Sequence, residues 1–429
     1  MRRFAVLFLT ICLLMSLPAC ANSEPDDAAS VSEITAPEYP AAISFKDFDA
    51  WRANRDKNPV SEESLQAISQ FSYDTAALVL QNDSANSCYS PLSLYFALSL
   101  AGSGADGQTR EELFALLGAS DTAELAEQCG NLYRLLYMDN EISQLKIANS
   151  LWLDADYKGE EVKYKEDFTK TAASEFYASL FRVDFADADT GDAMADWIAE
   201  NTNHTLTPEF SPDPEQIMSI INTVYFRAEW VDRFDAGKTK PDSFHLADGS
   251  DVTCDFMNMI YSSSNFSVGD GFTRSALQLK SNGSMVFVLP DEGIEFQDLL
   301  SSPDALRELF EGGTPYNGKV TWKIPKFEYD SNIDLADTLK KLGVTSAFGE
   351  NADFSGITDH TAFISSIIQN THIAIDEKGV EASAFTKIEY AGAAVPDGQA
   401  DMILDRPFLY GIYTSAGDLI FIGICGDPS

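Results

Sequence analysis

The chain is poor in the side chains that build metal and nucleophile chemistry. It holds six cysteines and four histidines in 429 residues. Cys12 and Cys20 fall in the N-terminal apolar segment, while Cys88, Cys129, Cys254 and Cys425 are scattered without CxxC or Cys/His spacing. A zinc site and a disulfide-stapled scaffold are therefore not expected, and these four thiols read as small buried apolar residues. His204, His245, His360 and His372 never form HExxH, which removes any visible basis for metal-assisted hydrolysis. GxSxG, GxxxxGK[ST] and GxGxxG are all missing, so α/β-hydrolase, P-loop and dinucleotide chemistry each lack the turn they need. Positive charge is scarce too: 29 Lys and Arg against 67 Asp and Glu leave a formal charge of −38. A body this acidic, without a local basic patch, repels nucleic acid and anionic lipid. No enzyme class, metal or cofactor is indicated.

What is present is a folded globular composition, 45% hydrophobic and 11% aromatic. Arg2 and Arg3 precede the apolar run Phe4 to Leu14, followed by Leu17-Pro18-Ala19-Cys20, where a small residue directly precedes a cysteine. This resembles a bacterial lipoprotein signal (residues 1–19), cleaved before Cys20 so that its thiol carries lipid. An ordinary signal peptide with a chance cysteine is the alternative. The run falls short of the roughly 20 residues that span a bilayer. The lipoprotein reading implies an extracytoplasmic protein, anchored by lipid to a bacterial membrane or released from it. Residues 20–58, rich in Ala, Ser, Asp, Glu and Pro, read as a flexible acidic linker, with a short stretch near Phe45 to Trp51 able to pack. From residue 59 to 429 one domain is expected, without repeats or a second linker.

Its first third reads helical. Leu65, Ile68, Phe71, Thr75 and Leu78 recur at helical spacing; Ser90-Pro91 supplies an N-cap and a first-turn proline; Thr109 and Glu112 fit a capping box, with Gly118 as terminator. Ile147 to Leu153, Ile220 to Phe226, Ser284 to Leu289 and Leu404 to Tyr413 read as strands, with a hairpin joining Leu409–Tyr413 to Leu419–Ile424. Mixed in this way, the elements predict an α+β fold. Ser143-Gln144-Leu145-Lys146 matches SxxK, but it precedes a strand and has no partner motif.

The region after Glu377 is the informative one. Small and charged residues run from Glu377 through Ala384 and on to Pro396, a composition typical of an exposed loop. Yet Val380, Ala382, Ala384, Thr386, Ile388 and Tyr390 alternate with Glu381, Ser383, Phe385, Lys387 and Glu389 as in a half-buried strand, Phe385 being the misfit. A loop written in strand code suits two states, exposed first and paired later.

At these residues the chain resembles the serpin family. Asp376 to Ala384 is similar to the family hinge, and Met402 to Ile412 to its signature. Further matches are Ser90-Pro91-Leu92-Ser93, Gly104 to Thr109, Ala148 to Trp152, Asn222 to Phe226 leading to Trp230, Val286 to Gly293 and Ile324 to Phe327, in family order from about residue 65 to 428. The resemblance implies an α+β fold of three sheets and about eight or nine helices with an exposed reactive-centre loop. It also implies a monomeric suicide substrate: a serine protease attacks the loop, forms an acyl-enzyme, and is trapped when the cleaved loop inserts into the main sheet.

Carried over residue by residue, the resemblance makes Glu377, Lys378, Gly379, Val380, Glu381, Ala382, Ser383 and Ala384 the hinge. Ser90, Ser93 and Asn222 match the shutter, with Gln369 where many relatives carry histidine; glutamine keeps a donor and an acceptor without the charge. Trp230 matches the breach. Family spacing puts the cleaved bond at Ala393-Ala394, though the distance from Glu377 to Pro407 leaves positions as late as Pro396 open. Ala393 fits the shallow pocket of an elastase-like protease, and trypsin-like targets are disfavoured because Lys387, the only basic residue between Val380 and Arg406, lies too early. Phe385 and Lys387 keep a non-inhibitory serpin, acting as carrier or scaffold, as the alternative.

Overall fold

Caps and periodicity shape the helical third of this computed structural model, which describes residues 30–81, 86–380 and 398–429. Ile68, Phe71 and Thr75 are buried along one face of the helix Glu62–Gln81. Ser90 caps the helix Pro91–Ser103 by accepting from Ser93 N–H, and Pro91 lies in the first turn, where a missing N–H costs nothing. This helix packs against strands of both large sheets, which is why almost every residue in it is buried. Gly118 ends the helix Gly107–Leu117 at φ +66°, the left-handed conformation that glycine adopts without a side-chain clash. The expected capping box does not form. The helix starts earlier, with Asp106 as N-cap; Thr109 accepts from Asp353 N–H at 3.0 Å, and Glu112 accepts from the N–H groups of Thr345 and Ser346 at 2.7 and 2.8 Å.

The eight-stranded main sheet runs Val31–Thr35, Ala178–Val183, Ser143–Asp154, Met218–Glu229, Ile364–Ile375, Phe327–Asp334. Met138–Asp139 pairs beside Ser143–Asp154, and Gly379–Val380 lies between Met218–Glu229 and Ile364–Ile375. A second, nine-stranded sheet runs Gln399–Ile403, Thr314–Pro325, Asp251–Gly269, Phe272–Gln278, Ser284–Pro290, Phe408–Tyr413, Leu419–Cys425, Ser87–Tyr89, with Lys240–His245 added to Asp251–Gly269. A third sheet, of two strands, pairs Asp156–Tyr157 with Glu160–Glu161, which makes three sheets among the described residues. The C-terminal hairpin forms as read, with Phe408–Tyr413 antiparallel to Leu419–Cys425. Leu404–Tyr413 is not one strand. Leu404-Asp405-Arg406-Pro407 interrupts it, because Pro407 has no N–H to give a ladder and Arg406 donates to the Pro290 carbonyl at 2.7 and 3.2 Å.

Ten α-helices occur among the described residues. One of them, Phe48–Lys57, begins in the stretch Phe45 to Trp51 that was expected to pack, and the segment read as a flexible linker carries a strand as well, Val31–Thr35. Val31–Thr35 adds antiparallel to the sheet edge at Ala178–Val183. The Tyr39 ring stacks with Tyr137, Tyr177 and Tyr133 at 5.9, 6.4 and 6.5 Å, and the Lys146 ammonium lies 4.3 Å from its centroid. Asn54 donates to the Arg134 carbonyl at 2.8 Å. Periodicity gave no sign of the helix because it has no fully buried residue.

Cys88, Cys129 and Cys425 are buried free thiols and Cys254 is half-buried. Burial pushes Cys88 up to about 11 and Cys129 up to about 12, which suppresses thiolate chemistry. No helix among the described residues is long and apolar enough to cross a membrane.

Candidate functional site

The site is a seam in the main sheet. Met218–Glu229 and Ile364–Ile375 pair in parallel from Met218↔Ile364 to Val224↔Thr371 and then part. Into the gap comes Val380, opposite Ala228 on one side and Ile375 on the other, with Gly379 opposite Glu229. The chain turns into this gap through Asp376, whose carboxylate accepts from Lys378 N–H at 2.7 Å and Gly379 N–H at 3.2 Å, while Asp376 N–H donates to the Gly379 carbonyl. Gly379 is required by proximity: a Cβ there would lie 2.2 Å from the Ala228 carbonyl oxygen. A strand has thus been started between two others.

Trp230 anchors this turn. Its indole N–H donates to the Asp376 carbonyl at 2.9 Å and its backbone N–H to the Lys378 carbonyl at 2.9 Å, while Phe234 N–H donates to the Glu377 carbonyl. Only 1% of Trp230 is exposed, so breaking these bonds leaves a buried indole donor without a partner. Glu377 latches the turn from the other side, accepting from the Thr239 hydroxyl at 2.8 Å and pairing with Lys326 at 3.2 Å. Burial alone would raise its pKa; the Thr239 hydroxyl, a backbone N–H and the Lys326 ammonium outweigh that and hold it below the ordinary glutamate value.

Below the gap lies a buried polar row. Asn222 is its centre: its carbonyl oxygen accepts from the Ser93 hydroxyl and from Gln369 Nε2 at 3.2 Å, and its amide donates to Asn149 Oδ1 at 2.6 Å and the Ser93 carbonyl at 3.2 Å. Gln369 accepts from Ser90 N–H at 2.7 Å and donates to the Ser90 carbonyl at 2.9 Å; the Ser90 hydroxyl donates to the Ile420 carbonyl at 2.7 Å. All of these side chains are buried. The row ties the helix Pro91–Ser103 to the two strands that would have to separate if the gap lengthened. It joins them by exchangeable hydrogen bonds rather than interlocked apolar side chains.

Ser90, Ser93, Asn222 and Gln369 therefore converge, and Trp230 meets Glu377, Lys378 and Gly379 beside Val380. Glu381, Ala382, Ser383, Ala384, Ala393, Ala394 and Cys20 lie outside the described residues. Sequence reasoning gave no role to Asn149 and Lys326, although both lie in segments matched to the family, and none to Thr239. Asn149 had a signal, since it is a polar residue within the apolar strand Ile147 to Leu153. Also missed was a buried ionic cluster at the mouth of the gap, where Glu229 Oε2 meets Lys280 Nζ at 2.5 Å and Arg233 Nη2 at 2.8 Å.

Comparison with known proteins agrees with this arrangement. The family model described as "Serpin (serine protease inhibitor)" matches residues 66–428. Serpin-Z2B of Triticum aestivum is 30% identical over 392 residues, covering 85% of this chain and 96% of its own. Among solved structures, the thermophilic serpin tengpin in its native state superposes with a TM-score of 0.77 at 25% identity, over 93% of this chain and all of its own. Serpin48 of the insect Tenebrio molitor gives 0.74 at 28% identity, over 86% and 99%.

Proposed function

The chain belongs to the serpin family, whose members are in general inhibitors of serine proteases, and from that premise we propose that it traps an elastase-like protease by loop insertion. The observation that carries this reading is the strand already begun at Gly379–Val380. Continued along both neighbours, this register would set Ala382 opposite Phe226 and Ile373, Ala384 opposite Val224 and Thr371, and Thr386 between Asn222 and Gln369. Small or β-branched side chains would meet the inward face at each of these steps, and no charge or proline would. Phe385 and Lys387 would fall on the opposite face.

In this reading the protease serine attacks the Ala393 carbonyl, the peptide bond to Ala394 breaks, and the new amine leaves with the C-terminal segment. What remains is an ester between the protease and Ala393. Insertion then draws the protease from the loop end across the sheet, and deacylation stalls once its catalytic geometry is distorted. This chain supplies conformational free energy and no catalytic group. A small residue at position 393 selects proteases with a shallow specificity pocket. The same reading includes export, cleavage before Cys20 and lipid attachment there, which would hold the inhibitor, as a monomer, at the outer side of a bacterial membrane.

The test is incubation of the protein with a pancreatic or neutrophil elastase. A complex stable in SDS, releasing a C-terminal fragment that begins at Ala394, is expected; loop cleavage without a complex refutes inhibition. The anchor is tested separately by mass measurement of the mature N-terminal peptide and by release of Cys20→Ser from membranes.

A further inference from the structure

We propose that Glu229 is a positioning residue: through its buried ionic pin to Lys280 and Arg233 it fixes the mouth of the gap and thereby sets how efficiently a strand enters. As a statement about trapping, this rests on the inhibitory reading above. Glu229 ends the strand Met218–Glu229 directly opposite Gly379. Its carboxylate oxygen Oε2 is shared by Lys280 Nζ at 2.5 Å and Arg233 Nη2 at 2.8 Å, and Glu229 and Lys280 are only 3% and 8% exposed. The backbone follows the same path. Lys280 N–H donates to the Glu229 carbonyl at 2.8 Å, Val231 N–H donates to the Gln278 carbonyl at 2.9 Å, and Trp230 bridges to Leu279. The end of one main-sheet strand is thus riveted to the end of Phe272–Gln278 in the second sheet.

A buried ion cluster is a poor way to gain stability, because desolvation offsets most of its attraction; well-packed apolar side chains would hold the fold as well. What it supplies is geometry. There is no slack where the hinge passes, since even a methyl group on Gly379 would collide with the Ala228 carbonyl. A displacement of Glu229 would therefore shift the slot that Gly379 and Val380 occupy. Everything inserted later must pair in the register those two residues set. After cleavage, insertion competes with hydrolysis of the acyl-enzyme, so a slot that wanders converts inhibition into turnover. Glu229 touches no reacting atom; it acts through the width of the slot.

The experiment compares the full protein with Glu229→Gln and with Glu229→Gln/Lys280→Met, the second removing the ammonium that the first leaves unpaired. Two quantities are read: moles of inhibitor consumed per mole of elastase trapped, and the rate at which a synthetic peptide of residues 380–393 anneals into the intact protein. Both variants are expected to raise the consumption and slow annealing about fivefold, with the initial rate of loop cleavage unchanged. The single variant also loses urea resistance, which the double variant recovers. Recovery of wild-type consumption and annealing by the double variant would reduce Glu229 to a packing role and overturn the proposal. So would wild-type annealing in either variant. If the unaltered protein is cleaved without trapping elastase while both variants still anneal slowly, the inhibitory reading fails and the slot role stands.

Discussion

Asn222→Ala removes the centre of the polar row beneath the seam, and the loss can be worked out bond by bond. Four hydrogen bonds go, but their partners fare differently. Gln369 Nε2 keeps the Ser90 carbonyl, whereas Asn149 Oδ1 and the Ser93 hydroxyl are left buried without a replacement. At about 1–3 kcal/mol for each of the two stranded groups and about 1 kcal/mol for the bond to Gln369, the intact protein should lose about 3–7 kcal/mol. In the loop-inserted form Thr386 would stand between Asn222 and Gln369, so that contact is already gone and the same substitution should cost about 1 kcal/mol less. The assay is urea unfolding of the protein before and after loop cleavage, for wild type and variant. A loss below about 1 kcal/mol in the intact form would show that water or rearrangement satisfies the row. An equal loss in both forms would refute separation of the two strands at Asn222.

Acid should release the hinge. Glu377 has a native pKa below its unfolded one, so its stabilisation is complete above the ordinary glutamate range and disappears as pH falls through the native value. Conversion of the intact protein to the loop-inserted form, followed by native electrophoresis, should accelerate below about pH 4; Glu377→Gln should convert faster at neutral pH with no further acid dependence. Lys326 is the charged group facing that carboxylate, so Lys326→Met should reproduce the neutral-pH acceleration. Tyr39→Ala gives up three ring contacts and the Lys146 contact and should cost about 2–4 kcal/mol, read by urea unfolding, while exposing residues 31–58 to limited proteolysis.

How legible each part was depended on whether its physics is local. Ser90-Pro91 and Gly118 announce helix ends because capping is settled within a few residues. The capping box at Thr109 misled for the same reason: Asp353, Thr345 and Ser346, all remote in sequence, claim the two side chains. The polar row is non-local. Ser90, Asn149, Asn222 and Gln369 come from four segments; Ser90 shows itself only as a helix cap, and the sign that the other three carry alone is a polar side chain in an apolar run, as in Ile367-Ile368-Gln369. Resemblance to a family located most of them where periodicity did not. The pin of Glu229 and Lys280 carried no such sign, since in a chain with so many acidic residues one more at a strand end reads as solvated surface. Val31–Thr35 is a strand only because the edge of Ala178–Val183 offers it unpaired backbone, and no property of its own sequence requires that.

The seam also explains why an apolar interface would not serve. Two strands joined by interlocked β-branched side chains would have to expose apolar surface before a third could enter, and that penalty would fall entirely on the first step. A row of amides and hydroxyls can exchange partners one at a time.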